Sequence, residues 1–226
     1  MTAAVLEAAD PRCLSADEAA ALLRDAPWRR VVALGDSIIE GLGAHDGSYR
    51  RRAWIDRVFD AMGDISAARN LGMRDLLAAE IRARQLGSAL AFAPDLALVS
   101  AGGNDILRPE LDLDRVEAEL DTIVGALRAT GADVVTLGMF DASGSPYVPE
   151  EFRAPLTRRI HRLSERTAAV AARHGAIHVD CTNHAAGADP AIYSPDGLHC
   201  SSEGHAIAAS EAIRVLSARV RARAAP

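Results

Sequence analysis

A chain of 226 residues with 49% hydrophobic and 25% charged residues lies among ordinary globular proteins, long enough for one sizeable core and without a composition break or linker to divide it. A formal charge of -6 and a pI near 5.6 provide no broad positive surface, which argues against nucleic-acid and anionic-membrane partners. All 25 basic residues are arginine, which excludes a Schiff-base lysine, a Walker-A lysine and a Ser-x-x-Lys pair.

In chain order, an amphipathic helix over residues 16–24 precedes a strand at 30–34. A helix at 49–62, a short strand at 65–69 and a helix at 73–84 follow. Then come a strand at 96–100, a helix at 113–130, a strand at 133–137, a helix at 150–174, a strand at 176–180 and a last helix at 202–223. Short apolar runs alternating with helical periods are the pattern of βαβ units around a parallel sheet. Gly63, Gly87, Gly131 and Gly175 each stand where a left-handed C-cap is expected, and Ser201 or Ser202 with Glu203 fits a cap for the last helix. The expected organisation is one domain over residues 1–226, with 1–28 as an N-terminal helical extension.

The first 20 residues lack a positive segment followed by a continuous apolar run. The most apolar stretch, 86–99, is interrupted by Pro94 and Asp95 and is too short to cross a bilayer. Cys13, Cys181 and Cys200 are odd in number and have no Cys-x-x-Cys spacing. These features predict a soluble, cytoplasmic protein with reduced thiols.

In open parallel sheets ligands bind beyond the carboxyl ends of the strands. After the predicted strands come Gly35-Asp36-Ser37, Asn70-Leu71-Gly72, Gly102-Gly103-Asn104-Asp105 and, beyond a loop, Asp196-Gly197-Leu198-His199. Ester cleavage by a serine needs a hydroxyl, an imidazole base, an acceptor that orients the imidazole, and donors for the developing oxyanion. Ser37 supplies the hydroxyl and His199 the base. Asp196, three residues before His199, reaches the other ring nitrogen. The Ser37 and Gly72 amides and the Asn104 side chain are the candidate oxyanion donors.

These four blocks, in this order, resemble the SGNH hydrolases, the GDSL family of esterases and lipases. The resemblance implies a three-layer α/β/α sandwich with a five-stranded parallel sheet, flavodoxin-like in type. It implies no metal and no organic cofactor, and the residue roles just assigned. The function it implies is hydrolysis of carboxylic esters of small or medium acyl groups through a covalent acyl-Ser37 intermediate. An acyltransferase, a thioesterase or a lysophospholipase would use the same site, and a non-catalytic binding module is the reading from another class. The expected partner is a small-molecule ester. The Gly-x-Ser-x-Gly elbow of α/β-hydrolases is missing, since Ile39 occupies its second glycine position.

Other residues have plainer readings. Asp36 is expected to form the turn and Asp105 to accept loop amides. His178, Asp180, Cys181, His184, His199 and Cys200 carry zinc-ligating groups, but no metal-binding spacing unites them. His205 is expected to be structural, His45, His161 and His174 to lie at the surface, and Cys200 to be an inert buried thiol. Arg50, Arg51 and Arg52 read as a solvated charge run, and Arg214, Arg219, Arg221 and Arg223 as the end of a fraying helix. The long 140–152 segment after the fourth strand is expected to bring Phe140, Tyr147 and Phe152 to the pocket.

Overall fold

A computed structural model describes residues 7–43 and 49–224. Helix α1 (Ala16–Leu23) begins at a capping box in which Ser15 and Glu18 satisfy each other's backbone N–H groups. Strand β1 (Arg30–Gly35) leads into a single-turn helix α2 (Ser37–Glu40), and α3 (Trp54–Met62) precedes β2 (Ala67–Asn70). Helix α4 (Ala78–Ile81) passes through a π-turn (Arg82–Leu86) into α5 (Gly87–Phe92) and then β3 (Leu96–Ser100). The remainder is α6 (Leu113–Ala129), β4 (Asp133–Gly138), α7 (Glu150–Arg173), β5 (Ile177–Asp180) and α8 (Ser202–Ala224).

The five strands form one sheet in the order β2-β1-β3-β4-β5, and every pair is parallel. Strands β1, β3 and β4 are apolar runs buried on both faces, as a parallel sheet between helical layers requires. Alternation along β1 sorts the core into two clusters. Val31 and Ala33 pack with Trp54, Val58 and Ile213 from α3 and α8. Val32 and Leu34 pack with Ile81, Leu120, Ile123 and Ile160 from α4, α6 and α7. The result is the expected three-layer α/β/α sandwich. Strand order reverses between β1 and β3, where Gly35 lies opposite Ser100. That switch point opens a crevice at the carboxyl ends of the strands.

The structure departs from the sequence expectations at identifiable places. Helix α3 starts at Trp54 and not at 49, because Arg57 donates to the carbonyls of Arg50 and Arg52 and holds the preceding segment out of the helix. Gly87 is not the left-handed C-cap expected there. Its φ is -58°, and the helix continues to Phe92 because Ala89 and Phe92 are also core positions. Termination comes at Ala93, with φ 51°, just before Pro94.

The predicted N-terminal extension contributes to the main core through Cys13, Ala19, Leu23, Ala26 and Trp28. Trp28 donates through Nε1 to the buried carboxylate of Asp133 at 2.9 Å. Arg219 and Arg223, expected at a fraying end, both pair with Asp133, at 3.2 Å and 2.8 Å. Arg50 pairs with the buried Glu7 at 2.6 Å, and Arg52 with Asp60 at 2.6 Å. His45 lies outside the described residues. No helix among the described residues is long and apolar enough to cross a membrane.

Candidate active site

Ser37 is the first residue of α2, directly beyond β1, and is largely buried at 8% exposure. The turn that presents it is tight. A Cβ on Gly35 would fall 2.4 Å from Ile39 Cγ1 and 2.4 Å from the Ser100 carbonyl oxygen, so only glycine allows α2 to fold back over β1 and β3. Asp36 caps α2 by accepting from the Ile38 amide at 3.0 Å, which is the turn-forming role expected of it.

Gln85 stabilises the same turn and has no signature in the sequence. It is buried, it accepts from the Gly35 N–H at 2.8 Å and it donates to the Gly35 carbonyl at 2.8 Å. Its amide satisfies both backbone groups of the residue that ends β1. The π-turn carries Gln85, and such local widenings of a helix recur at functional sites.

His199 belongs to the loop between β5 and α8. An antiparallel bridge of Tyr193 with Cys200 closes the base of that loop. Gly197 turns it with φ +70°, and a Cβ there would also strike Tyr147 Cβ at 2.2 Å. Asp196 organises the loop: its Oδ1 accepts from Ser194 Oγ at 2.8 Å, the Leu198 amide at 2.9 Å and the His199 amide at 3.0 Å. Its Oδ2 faces His199 Nδ1 at 2.7 Å, and His199 Nε2 lies 2.9 Å from Ser37 Oγ. With a carboxylate at Nδ1, the proton of the neutral ring sits there and the Nε2 lone pair faces the hydroxyl. Burial works to raise the Asp196 pKa, but the hydrogen bonds from the His199 ring, the His199 and Leu198 amides and Ser194 hold it well below the usual carboxylate range. Asp196 is therefore an anion at neutral pH.

The other candidates lie around this line of groups with different commitments. Asn104 follows β3 and lines the same cavity as Ser37 and His199. Its Nδ2 donates one hydrogen to the Leu76 carbonyl at 3.0 Å, leaving the second for another acceptor. Gly72 packs against α2, since a Cβ on it would sit 2.3 Å from the Glu40 nitrogen. Its amide, however, donates to Asn70 Oδ1 at 2.8 Å, and Gly72 is not among the residues lining the cavity. Asp105 accepts from the Ala78 amide at 3.0 Å, the loop-holding role expected of it.

The cavity, of about 100 Å³, is walled by Ser37, His199, Phe140, Leu137 and Tyr193 among others. Phe140 reaches it as expected. Tyr147 and Phe152 do not line it; they are 55% and 60% exposed, and Tyr147 packs instead on Gly197. His178 is held by Thr136 Oγ1 at 2.9 Å, and Asp180 caps the turn at Thr182 and Asn183. Among the described residues no group of three His, Cys, Asp or Glu side chains is placed to hold a metal ion. His205 is buried and structural, accepting at Nδ1 from the Trp54 amide at 3.1 Å and donating from Nε2 to the Leu42 carbonyl at 2.8 Å. His161 and His174, expected as surface residues, are part-buried and pair with Asp141 and Asp121. Cys200, expected to be buried, is half-buried, and desolvation pushes its thiol up to about 12, which keeps it protonated at neutral pH beside His199.

Asp36 carries a measurable electrostatic cost. Burial raises its pKa from 3.8 to about 6, with the Ile38 amide, its own amide and His199 opposing the rise. The folded chain therefore binds this proton more tightly than the unfolded chain, and stability falls as pH rises from about 4 to 6. The deficit is constant above that window. Asn keeps the capping oxygen, so Asp36→Asn should match the parent near pH 4 and exceed its unfolding free energy by about 3 kcal/mol at pH 8. Urea unfolding at both pH values measures this; equal differences at the two would contradict it.

The sequence matches the profile of the GDSL-like lipase/acylhydrolase family over residues 33–207, and the chain belongs to that family. It is accordingly a carboxylic ester hydrolase. Comparison with curated proteins gives no match. Among solved structures the chain is similar to an acetylxylan esterase from Geobacillus stearothermophilus, with 20% identity, a TM-score of 0.68, and coverage of 83% of this chain and 94% of that one. It is also similar to the lipase/acylhydrolase from Enterococcus faecalis, with 23% identity, a TM-score of 0.64, and coverage of 84% and 96%. At these identities the likeness establishes the shared fold.

Proposed function

We propose that the chain hydrolyses carboxylic esters through a covalent acyl-enzyme on Ser37, with His199 as general base and acid and Asp196 as the carboxylate that orients it. The observation that carries this reading is the continuous hydrogen-bonded line from Asp196 Oδ2 through the imidazole to Ser37 Oγ, at 2.7 Å and 2.9 Å. In acylation the Ser37 proton passes to His199 Nε2 while Oγ bonds to the acyl carbon and the carbonyl π electrons move to oxygen. Collapse of that intermediate expels the alkoxide, which takes the proton from His199. Water then attacks the acyl-Ser37 ester by the same steps, releasing the acid and restoring Oγ–H.

For the oxyanion, the Ser37 amide opens α2 outside the intrahelical ladder, and Asn104 holds a second N–H in reserve. The Gly72 amide joins them by exchanging Asn70 Oδ1 for the oxyanion, a tightening of the kind that accompanies substrate binding. Asn104→Ala should lower kcat by roughly a hundredfold, about 3 kcal/mol, with little change in KM, since the lost bond is strongest in the transition state.

A shared acyl-enzyme is tested by partitioning. Hydrolysis of nitrophenyl, phenyl and ethyl esters of one acid in the presence of methanol should give the same ratio of methyl ester to free acid from all three. A ratio that follows the leaving group would contradict the intermediate.

A further inference from the structure

The wall of the cavity beside Ser37 identifies the kind of ester it fits. Deep in it are Leu137, Phe140, Cys181 and Ala208, all buried, and at its edge are Leu107 and Leu198, 46% and 51% exposed. Among the described residues its only ionisable side chains are Asp36, His199, His205, the thiols of Cys181 and Cys200, and Tyr193, whose hydroxyl is engaged by the Asp141 and Gly187 carbonyls. A sugar hydroxyl entering such a space would lose its water partners and find few replacements. An alkyl chain would exchange water for side chains, and the exposed leucines at the mouth would be covered as it entered.

Size narrows the choice. An apolar cavity of about 150 Å³ holds a benzene ring. At about 100 Å³ this one holds roughly four carbons. An acetyl group places a single methyl beyond its carbonyl and would leave most of the space unfilled.

We infer that the substrate carries an uncharged, unbranched acyl chain of about five or six carbons, seated between the end of β4, Cys181 and Ala208 of α8. This rests on the acyl-Ser37 reading above. The acyl chain occupies the cavity because its wall includes Ser37 itself, so the group retained on Oγ after the alcohol departs stays in contact with it. Ala208 sets the depth, since a longer side chain there takes up the space of the terminal carbons.

The test is a series of nitrophenyl esters from acetate to dodecanoate, with the leaving group held constant, beside an acetylated xylooligosaccharide. Values of kcat/KM should rise about fourfold per methylene up to pentanoate or hexanoate and fall beyond, because each buried methylene contributes a transfer free energy of that size. The acetylated sugar should be turned over more slowly than nitrophenyl acetate. In Ala208→Leu the hexanoate-to-acetate ratio should fall at least tenfold. Ala142→Leu, at a half-buried position of the same wall, should lower the ratio in the same direction if Ala208→Leu does not fold, as judged by circular dichroism. An optimum at acetate, preference for the acetylated sugar, an undiminished rise to dodecanoate, or an unchanged ratio in the folded variants would overturn the assignment. Labelling of Ser37 by a fluorophosphonate separates the two levels. A labelled chain with an acetate optimum refutes the acyl assignment alone, and an unlabelled chain without ester turnover refutes the serine mechanism beneath it.

Discussion

Ser37→Ala should lower ester turnover by at least about 10⁴-fold while leaving the fold intact. Groups that act as one unit in acyl transfer are lost together when the nucleophile goes, and the remaining rate comes from binding and oxyanion contacts alone. The variant should fold because Ser37 Oγ has its hydrogen bond to His199, at the wall of a cavity, and contributes none to the core. Its circular dichroism and urea midpoint should match those of the parent. Steady-state kinetics on a nitrophenyl ester at enzyme concentrations high enough to see the residual rate measures the loss; a variant retaining a tenth of the activity would exclude Ser37 as the nucleophile.

Asp196→Asn should reduce kcat by on the order of 10³-fold, somewhat less than the ~10⁴ of a buried triad aspartate. Asparagine can keep an oxygen at the Oδ1 position, where Ser194 and two amides converge, so the loop is preserved. The change falls on Oδ2, which becomes an NH₂ facing His199 Nδ1. That favours the ring tautomer with its proton on Nε2, where it meets Ser37 Oγ and cannot accept the serine proton. The effect is moderated because the Asp196 side chain is 52% exposed, which lets water screen its charge and stand in for part of its role. Most of the loss should appear in kcat with KM nearly unchanged; equal turnover by the two proteins would remove Asp196 from the mechanism.

The features legible in the sequence are those whose physics is local. Apolar runs that must be buried on both faces, as at 96–100 and 133–137, identify the central strands within a residue. Gly35-Asp36-Ser37 and Asp196-Gly197-Leu198-His199 are compact because one turn and one loop place their groups, and the structure brings Ser37, His199 and Asp196 together. Features that depend on distant partners were not legible. Gln85 meets Gly35 across 50 residues, and only the π-turn aims it there. Gly87 carried a stop signal, which the core packing of Ala89 and Phe92 overrode. Loop length points Tyr147 and Phe152 to the pocket, whereas Tyr147 is drawn to Gly197, where the missing Cβ makes room for its ring. The prior engagement of the Gly72 amide by Asn70 is likewise invisible until the chain is folded.

The most direct test of acyl transfer through Ser37 is intact mass analysis after reaction with a stoichiometric fluorophosphonate, followed by peptide mapping. The account predicts one adduct per chain, on the peptide containing Ser37, absent from Ser37→Ala and formed far more slowly in a variant lacking the His199 imidazole. An enzyme that hydrolyses esters yet forms no adduct, or carries it on another residue, would contradict the account.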